Sequence, residues 1–515
     1  MPISKSNQVF NLVKSLTTAE KRNFKQYAKR IQQNDELLFI RVFDIIDRQK
    51  ELDEHALLEQ MGGMKKGQFS NIKRHLYTQI ISSLRMLHKE RNANFKVREF
   101  LDYANILYGK GLYLQALKML KKARVLAQEH HLIYMQLIII EFEKKIETRH
   151  ITRSGSSRAM ALIEKSKEIQ QNANYLVKLS NLRIRMHAKY LQYGHVKSRE
   201  EAKAIRAYYH EQIDPINLEE LGLMEMIYYV QSRVWYNYIL LDFHSCIKYA
   251  KQWQVLLESN PALIVRDVDL YMRAYHYVLT TALHIKDRLT HSVYLDKFEQ
   301  FRATTYGKFN PNSQVLSFLY VHTGRLDNII LTGNYEKANE AVAKSLVRIK
   351  RYKYKLDDHR VLVFYFKFAW IYLGSENLSK AIFYLNKIVN NELNKLREDL
   401  QNYARILQLM CHYELQNYDI LQYLLTTYSN YFDRKKELNV FLKHAMDMFN
   451  LLRSKGEMDH KIVFEQYLII FQRVNKDPYE RRALVYLDIL SWLESKIKGI
   501  SLKAIVQGKA NSSSK

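Results

Sequence analysis

One short turn recurs along most of this chain, and its spacing limits the fold more than any other feature. The clearest copy lies in residues 97–128, VREFLDYANILYGKGLYLQALKMLKKARVLAQ, where two helical patterns meet at Gly111. Aligning the residue at one equivalent position after each turn gives copies 40 to 47 residues apart, at Ala116, Ala159, Ala202, Cys246, His291, Ala338, Ala381 and Leu421. A repeat of this length predicts stacked helical hairpins.

The scarcity of turn-forming residues supports an all-α fold. The chain has 15 Gly and 5 Pro among 515 residues, and 47% of its residues are hydrophobic. Few Gly and Pro residues predict long helices with short connections, and they argue against sheet-rich or dinucleotide-binding folds. The apolar content is sufficient for a large core and excludes global disorder.

The turns carry a recognisable pattern of residue types. In GLYLQA at 111–116 and GNYEKA at 333–338, a Gly is followed by an aromatic residue and then by Ala at fixed spacing. This pattern resembles the tetratricopeptide repeat (TPR), and the resemblance covers residues 97–430. It implies a right-handed solenoid of helical hairpins that binds other molecules. The TPR period is about 34 residues, whereas HEAT and armadillo repeats, at about 40–47, match the period found here.

The chain is predicted to contain four regions. Residues 1–96 form a basic helical N-terminal region, and residues 97–430 form the repeats. Residues 431–498 contain a degenerate repeat and a capping helix at 479–496, because the last repeat of a solenoid has no neighbour to cover its apolar face. Residues 499–515 are polar and basic and are predicted to be a disordered tail.

The N-terminal region shows helical patterns without the repeat. Thr18 is the predicted N-cap of the second helix, and a Gly-rich break, MGGMKKG, precedes the last helix. The predicted helices span about 6–15, 18–32, 35–49, 54–61 and 68–92.

Two basic segments are candidates for nucleic-acid contact. The break and the helix after it resemble a helix-turn-helix with a longer turn, and such a helix could place cations against phosphates. The alternative is a capping bundle with a solvated basic face. The second segment, RIKRYKYK, alternates cations with Tyr, a mixture that suits phosphate contact and base stacking. The alternative is that this segment is the solvated end of a helix. The candidate contact residues are Lys65, Lys66, Lys73, Arg74, Arg85, Lys350, Arg351 and Lys353.

Net charge and cysteine content indicate the kind of partner and the cellular compartment. The formal charge of +27 favours anionic partners: nucleic acid, an acidic protein surface or anionic lipid headgroups. Two distant cysteines argue against a disulfide framework and favour a reducing compartment. The N-terminal residues lack the apolar stretch of a signal peptide, and the longest apolar run, 132–142, is too short to cross a bilayer. A cytoplasmic location is therefore predicted.

The sequence contains no motif for catalysis or cofactor binding. Phosphate-binding Gly-rich loops, the G-x-S-x-G elbow and the H-E-x-x-H zinc motif are all missing. The two cysteines lack the spacing of zinc ligands and are predicted to be buried core residues. We therefore expect a chain that is not an enzyme and that uses no cofactor or metal.

The TPR resemblance implies that the first helix of each hairpin lines a concave surface. Carrying that arrangement onto this chain predicts an aromatic groove for an apolar or amphipathic peptide. The alternative is that the same aromatic residues form the core between repeats. The predicted groove residues are Tyr228, Gln231, Trp235, Tyr238, Phe366, Trp370, Leu373, Tyr403, Ile406, Met410 and Tyr413.

These features predict a non-enzymatic scaffold or adaptor that binds a protein or peptide. Two other hypotheses remain open. One is a nucleic-acid-associated regulator that uses the basic N-terminal helices, with the solenoid as a sensor or oligomerisation arm. The other is a regulator of an enzyme, in which a basic face meets an acidic partner.

Overall fold

The structure is a computed structural model that describes residues 8–31, 38–89, 92–154, 156–352, 356–390, 398–435, 439–454 and 457–512. The described residues form twenty-six α-helices and no strand, in agreement with the all-α prediction. The chain divides into two compact units, Met1–Ala173 and Asn174–Lys515. The region boundaries expected near residues 96 and 430 stay predictions.

Unit 1 begins with a small helical bundle and continues into longer helices. The bundle core contains Phe24, Phe43 and Leu76, whose side chains are fully buried. A second core lies between the next three helices. The helices are α1 (Gln8–Ser15), α2 (Thr18–Ile31), α3 (Leu38–Arg48), α4 (Glu54–Gln60), α5 (Lys66–His88), α6 (Ala93–Gly109), α7 (Tyr113–Glu129), α8 (Ile133–Ser154) and the first part of α9 (Ser156–Tyr193).

The start of α2 differs by one residue from the expectation. The Thr17 hydroxyl accepts the Glu20 backbone N–H, and a Glu20 carboxylate oxygen accepts the Thr17 backbone N–H at 2.8 Å. This reciprocal pair is a capping box. Thr17, rather than the predicted Thr18, is therefore the N-cap, because only Thr17 has a Glu three residues later.

Unit 2 consists of hairpins that pack on one another in sequence order. Helices α14, α16, α18, α20 and α22, each the first of its hairpin, pack successively side by side. This arrangement is compatible with a helical-repeat solenoid. The helices are α10 (Arg199–Ile213), α11 (Leu223–Ile239), α12 (Phe243–Glu258), α13 (Pro261–Arg266), α14 (Val268–His284), α15 (Arg288–Thr305), α16 (Pro311–Thr332), α17 (Ala338–Arg351), α18 (Asp358–Gly374), α19 (Leu378–Val389), α20 (Glu398–Glu414), α21 (Tyr418–Lys435), α22 (Val440–Ser454), α23 (Glu457–Lys476), α24 (Arg482–Tyr486), α25 (Ile489–Lys498) and α26 (Leu502–Ser512).

Most hairpins share one turn geometry. A single residue takes the left-handed conformation at Leu241, Lys286, Gly333, Glu376 and Gln416, with φ between 55° and 67°. In four of these turns the next backbone N–H bonds back to a carbonyl of the preceding helix at 2.9–3.0 Å, which is the Schellman arrangement. The turn geometry alone therefore accounts for four left-handed residues that are not Gly.

The aligned repeat positions follow directly from these turns. Cys246, His291, Ala338, Ala381 and Leu421 each lie five residues after the left-handed residue, and each is at most 2% exposed. The same holds for Ala116 after Gly111 in unit 1. Two aligned positions do not share this turn, because neither Ser154 nor Lys197, five residues before Ala159 and Ala202, is left-handed in the structure. The helices that contain Ala159 and Ala202 therefore follow a different kind of turn, although Ala202 is also buried, at 1% exposed.

Residues 477–512, which we call the C-terminal strap, fold back onto hairpins far earlier in the chain. Arg481 donates a hydrogen bond to the Leu241 carbonyl, and Asp488 pairs with Lys286 at 3.1 Å. Arg288 donates to the Val506 carbonyl at 3.1 Å. These contacts join residues 202 to 240 positions apart. The strap therefore connects the turns of successive hairpins.

Tyr486 of the strap lies between two hairpins that are distant in sequence. Its hydroxyl is 3.2 Å from the Tyr190 hydroxyl of α9, and its ring stacks on Tyr403 of α20 at 5.3 Å. Further along, the Trp492 indole N–H donates to a Glu414 carboxylate oxygen at 2.6 Å, and Trp492 is 1% exposed. The strap therefore forms part of the core of unit 2.

The strap corrects two expectations about residues 479–515. The single capping helix expected at 479–496 is two helices, α24 and α25, because Asp488 starts a new helix by accepting the Ser491 backbone N–H. The tail expected to be disordered contains α26, with Val506 only 6% exposed. Residues 513–515 lie outside the described residues.

Candidate functional site

The first helices of several unit 2 hairpins contribute cations and aromatic rings to one connected cluster, which we call the basic–aromatic surface. Its members come from α9, α11, α14, α16 and α18. They are Arg183, His187, Tyr228, Gln231, Trp235, Arg273, His276, Tyr277, Tyr320 and Arg360.

Ring contacts link these helices. His187 stacks on Trp235 with ring centroids 4.2 Å apart, and Trp235 meets Tyr277 edge-on at 5.4 Å. On the same helix as Tyr277, His276 stacks on Tyr320 at 4.3 Å. The rings therefore form a continuous path from α9 through α11 and α14 to α16.

Arg183 marks one end of the cluster. Its guanidinium donates to the Gln231 amide oxygen at 3.0 Å and lies 4.8 Å from the centre of the Tyr228 ring. Gln231 is only 2% exposed, yet its amide nitrogen has no hydrogen-bond partner among the described residues. The Nε of Arg183 is likewise without an acceptor in the described part of the chain. The two hydrogen-bonded side chains Arg183 and Gln231 therefore each contain a donor without an acceptor.

Electrostatic effects confirm that the cations lie close together. Burial, together with the charges of Arg360, Lys367 and Arg273, lowers the pKa of His276 to about 3. Burial and the charges of Arg273, Arg183 and Arg360 also lower the pKa of His187. Both histidines are therefore neutral at pH 7, and arginine carries the positive charge of the surface.

The acidic residues near this surface balance the cations only in part. Asp267 lies close enough to Arg183 and Arg273 for its negative charge to stabilise the positive charge of both. Asp357 pairs with Arg360 at 3.2 Å, and buried Asp327 pairs with Lys367.

The predicted groove residues occupy the interior of unit 2. Nine of the eleven are at most 9% exposed, and only Tyr228 and Tyr413 are half-buried. A docked peptide would not reach fully buried Ile406 or Met410 without rearrangement of the core. Tyr403 and Tyr413 contact Tyr486 and Trp492 of the strap. Peptide binding by these residues stays a prediction, and the nine buried side chains are Gln231, Trp235, Tyr238, Phe366, Trp370, Leu373, Tyr403, Ile406 and Met410.

Most of the basic–aromatic surface was not identified from the sequence. A weak signal exists, because Arg183 and His187 are four residues apart on α9, and Arg273 and His276 are three apart on α14. Residues at these spacings lie on one face of a helix. Tyr228, Gln231 and Trp235 belong both to this surface and to the predicted groove.

The predicted basic residues of the N-terminal region separate into two groups. Lys73 pairs with Glu54 at 2.6 Å and Arg85 with Asp102 at 3.3 Å, so both have acidic partners within unit 1. Lys65, Lys66 and Arg74 are exposed at and along α5 and make no ion pair with any described residue. The second predicted segment places Lys350 and Arg351 at the exposed end of α17. Lys353 lies outside the described residues.

Other features bear on chemistry and location. Cys246 and Cys411 are fully buried and free, as predicted, and burial raises the pKa of the Cys246 thiol to about 12. Within the described ranges, no three His, Cys, Asp or Glu side chains are grouped so as to hold a metal ion. In the same ranges, no helix combines the length and apolar character needed to span a membrane.

No protein-family model matches the chain, and no curated protein or solved structure matches it. Functional inference therefore depends on the surfaces described above.

Proposed function

We propose that this chain is a non-enzymatic scaffold that binds a protein partner through the basic–aromatic surface of unit 2. The observation that carries the proposal is the clustering of Arg183, Arg273 and Arg360 around stacked His, Trp and Tyr rings. Arg, Trp and Tyr are the residues that most often dominate binding energy at protein interfaces. The net charge of +27 would further steer an acidic partner towards the chain.

The packing of the hairpins supports this role. Successive first helices lie side by side, so cations from α9, α14 and α18 reach one region although they are far apart in sequence. Such a surface presents several contacts on a rigid support, which lowers the conformational entropy that binding must overcome.

Site-specific photo-crosslinking in the native cell tests the proposal. We expect a benzophenone side chain in place of Tyr320 to give a discrete protein adduct, because Tyr320 lies in the basic–aromatic surface. The adduct should be lost in an Arg273→Glu variant. Benzophenone in place of Tyr423, which is 69% exposed on α21, is the matched control and should give no such adduct.

The opposite pattern would rule the proposal out. If position 320 gives no adduct, or gives the same adducts as position 423, a protein partner does not bind at this surface.

A nucleic-acid-associated role for α5 is a second candidate. It is favoured by Lys65, Lys66 and Arg74, which are exposed and make no ion pair with any described residue. Cations that neutralise phosphates release counterions, so affinity falls steeply as salt rises.

Salt-dependent DNA binding provides the test. We expect duplex DNA to bind at about 50 mM salt and to dissociate at about 200 mM, with the salt slope reduced in a Lys66→Glu/Arg74→Glu variant. Arg22→Glu/Lys29→Glu, two exposed changes on α2 that alter the net charge by the same amount, is the control for net charge. Absence of DNA binding at low salt would eliminate this role.

A further inference from the structure

We infer that the basic–aromatic surface holds a carboxylate of an acidic peptide segment between Arg183 and Arg273, with the Gln231 amide as an additional donor. This inference rests on the proposed function and specifies the chemistry of the partner. It concerns a site of polar and charged groups, which differs from the apolar groove that the sequence predicts.

Hydrogen-bond donors without acceptors provide the first reason. The Gln231 amide nitrogen and the Arg183 Nε have no partner among the described residues, and Gln231 is 2% exposed. Buried donors in native proteins are normally paired, because leaving one unpaired costs free energy. A carboxylate only accepts hydrogen bonds and can accept several at once. It would satisfy both donors.

Charge balance provides the second reason. Arg183, Arg273 and Arg360 face two nearby acids, Asp267 and Asp357. The remaining pair, Lys367 and Asp327, is internally neutral. Arg266 also lies near Asp267 and Tyr228, so the arginines outnumber these acids and the surface carries a net positive charge that favours an anionic ligand.

The neighbouring rings provide the third reason. The His187–Trp235 and His276–Tyr320 stacks lie near the arginines, and Trp235 is only 9% exposed. Charge-assisted hydrogen bonds are stronger where the local dielectric is low. The flat ring faces can also pack against the aliphatic part of a Glu side chain and the adjoining peptide backbone.

Fluorescence anisotropy of a labelled hexaglutamate peptide tests this inference on the purified full-length chain. We expect saturable binding that weakens about tenfold or more in Arg183→Gln and in Arg273→Gln, because each change removes a charged donor. Arg185→Gln is the matched control. Arg185 is on the same helix but contacts Tyr208 instead, so its loss should change affinity less than twofold.

Two further comparisons distinguish a carboxylate site from a phosphate site and from non-specific attraction. Inorganic pyrophosphate should not compete with the peptide at equal ionic strength, and competition by pyrophosphate alone would overturn the choice of a carboxylate. Equal weakening by all three Arg→Gln variants would mean non-specific attraction and would also overturn the inference. Circular dichroism and the thermal midpoint verify that each variant folds, and Arg273→Lys provides a charge-preserving form if Arg273→Gln is unfolded.

The carboxylate site and the scaffold function can be disproved separately. If hexaglutamate does not bind but position 320 still gives its protein adduct, only the carboxylate site is wrong. If the adduct is missing, the scaffold function itself is wrong.

Discussion

Trp492→Ala is expected to lower the free energy of unfolding by roughly 4 kcal/mol, since truncating a buried Trp typically costs 3–5 kcal/mol. The Trp492 side chain is 1% exposed and packs edge-on against Tyr413 and Phe464 at 5.9 and 5.6 Å. Its loss also leaves one oxygen of the Glu414 carboxylate without its hydrogen bond, although Lys496 still pairs with the other oxygen at 2.6 Å. Chemical denaturation followed by circular dichroism measures the change.

Hydrogen exchange distinguishes this prediction from ordinary loss of core packing. Because Trp492 anchors the strap, its removal should speed exchange at the distant turns around Leu241 and Lys286, which the strap contacts. Trp253→Ala, at a Trp that is 1% exposed in α12, is the matched control and should speed exchange mainly in α12 and α14. If Trp492→Ala leaves the turns at Leu241 and Lys286 protected, the strap does not hold those hairpins together.

Mild acid is expected to destabilise unit 2 strongly. The pKa of His276 and that of His322 both lie near 3, because burial and the surrounding cations oppose protonation. The cations around His322 are Arg325, Arg302, Arg348 and Lys344. In the unfolded chain both histidines titrate near pH 6.5.

The sign of the effect follows from proton binding. Between pH 6.5 and about 3 the unfolded chain binds protons at these two histidines and the native chain does not, so stability falls as pH falls. Each histidine contributes at most about 1.4 kcal/mol per pH unit. Because the unfolded histidines are already partly protonated at pH 6, the pair should cost about 2.4 kcal/mol between pH 6 and pH 5. Denaturation curves at pH 7, 6 and 5 measure this dependence.

A single substitution isolates one of the two histidines. His322→Gln retains a group that can hydrogen-bond Ser345, whose hydroxyl is 3.0 Å from the His322 ring nitrogen. Between pH 6 and pH 5 this variant should lose about 1.2 kcal/mol less stability than the unchanged chain. His55→Gln, at an exposed position on α4, is the control. If the stability of His322→Gln depends on pH as that of the unchanged chain does, His322 does not cause part of the acid destabilisation.

The turns could be located from sequence because their chemistry is local. The left-handed residue, the Asp or Asn that caps the following helix and the buried residue five positions later all lie within six residues. At Asp242 and Asp287 the carboxylate accepts a backbone N–H three residues later, at 3.1 and 3.0 Å. These signals are present even where the left-handed turn residue is Leu or Lys rather than Gly.

The proposed binding surface could not be located in the same way. Helix α18 has buried residues at nearly every position from Phe364 to Gly374, and α20 at every position from Leu400 to His412. In α18, apolar residues on all sides leave no periodic pattern to identify a solvent-facing side. In α20 the buried positions include polar residues such as Gln401 and Arg405, so a polar residue there does not mark a solvent-facing side. The aromatic residues of α18 and α20 were therefore placed in a groove, whereas the structure buries nearly all of them.

The strap shows the limit of local patterns most clearly. Its sequence after Gly499 is polar and basic and predicts disorder, yet Lys503 pairs with Glu336 and Lys509 with Glu494. Gln507 donates to the Gly333 carbonyl at 3.3 Å. The partners of Lys503 and Gln507 lie 167 and 174 positions away, so the sequence around these two residues gives no sign of them.

The position of the strap in the chain has a consequence for biosynthesis. The Leu241 carbonyl and its partner Arg481 are separated by 240 residues. At translation rates of about 5–20 residues per second, the turn at Leu241 would wait roughly 10 to 50 s for the strap. The nascent hairpins would meanwhile expose the apolar surface that Leu487, Trp492 and Leu493 later cover. Chaperone binding is therefore most useful while the ribosome is still translating residues 242–480.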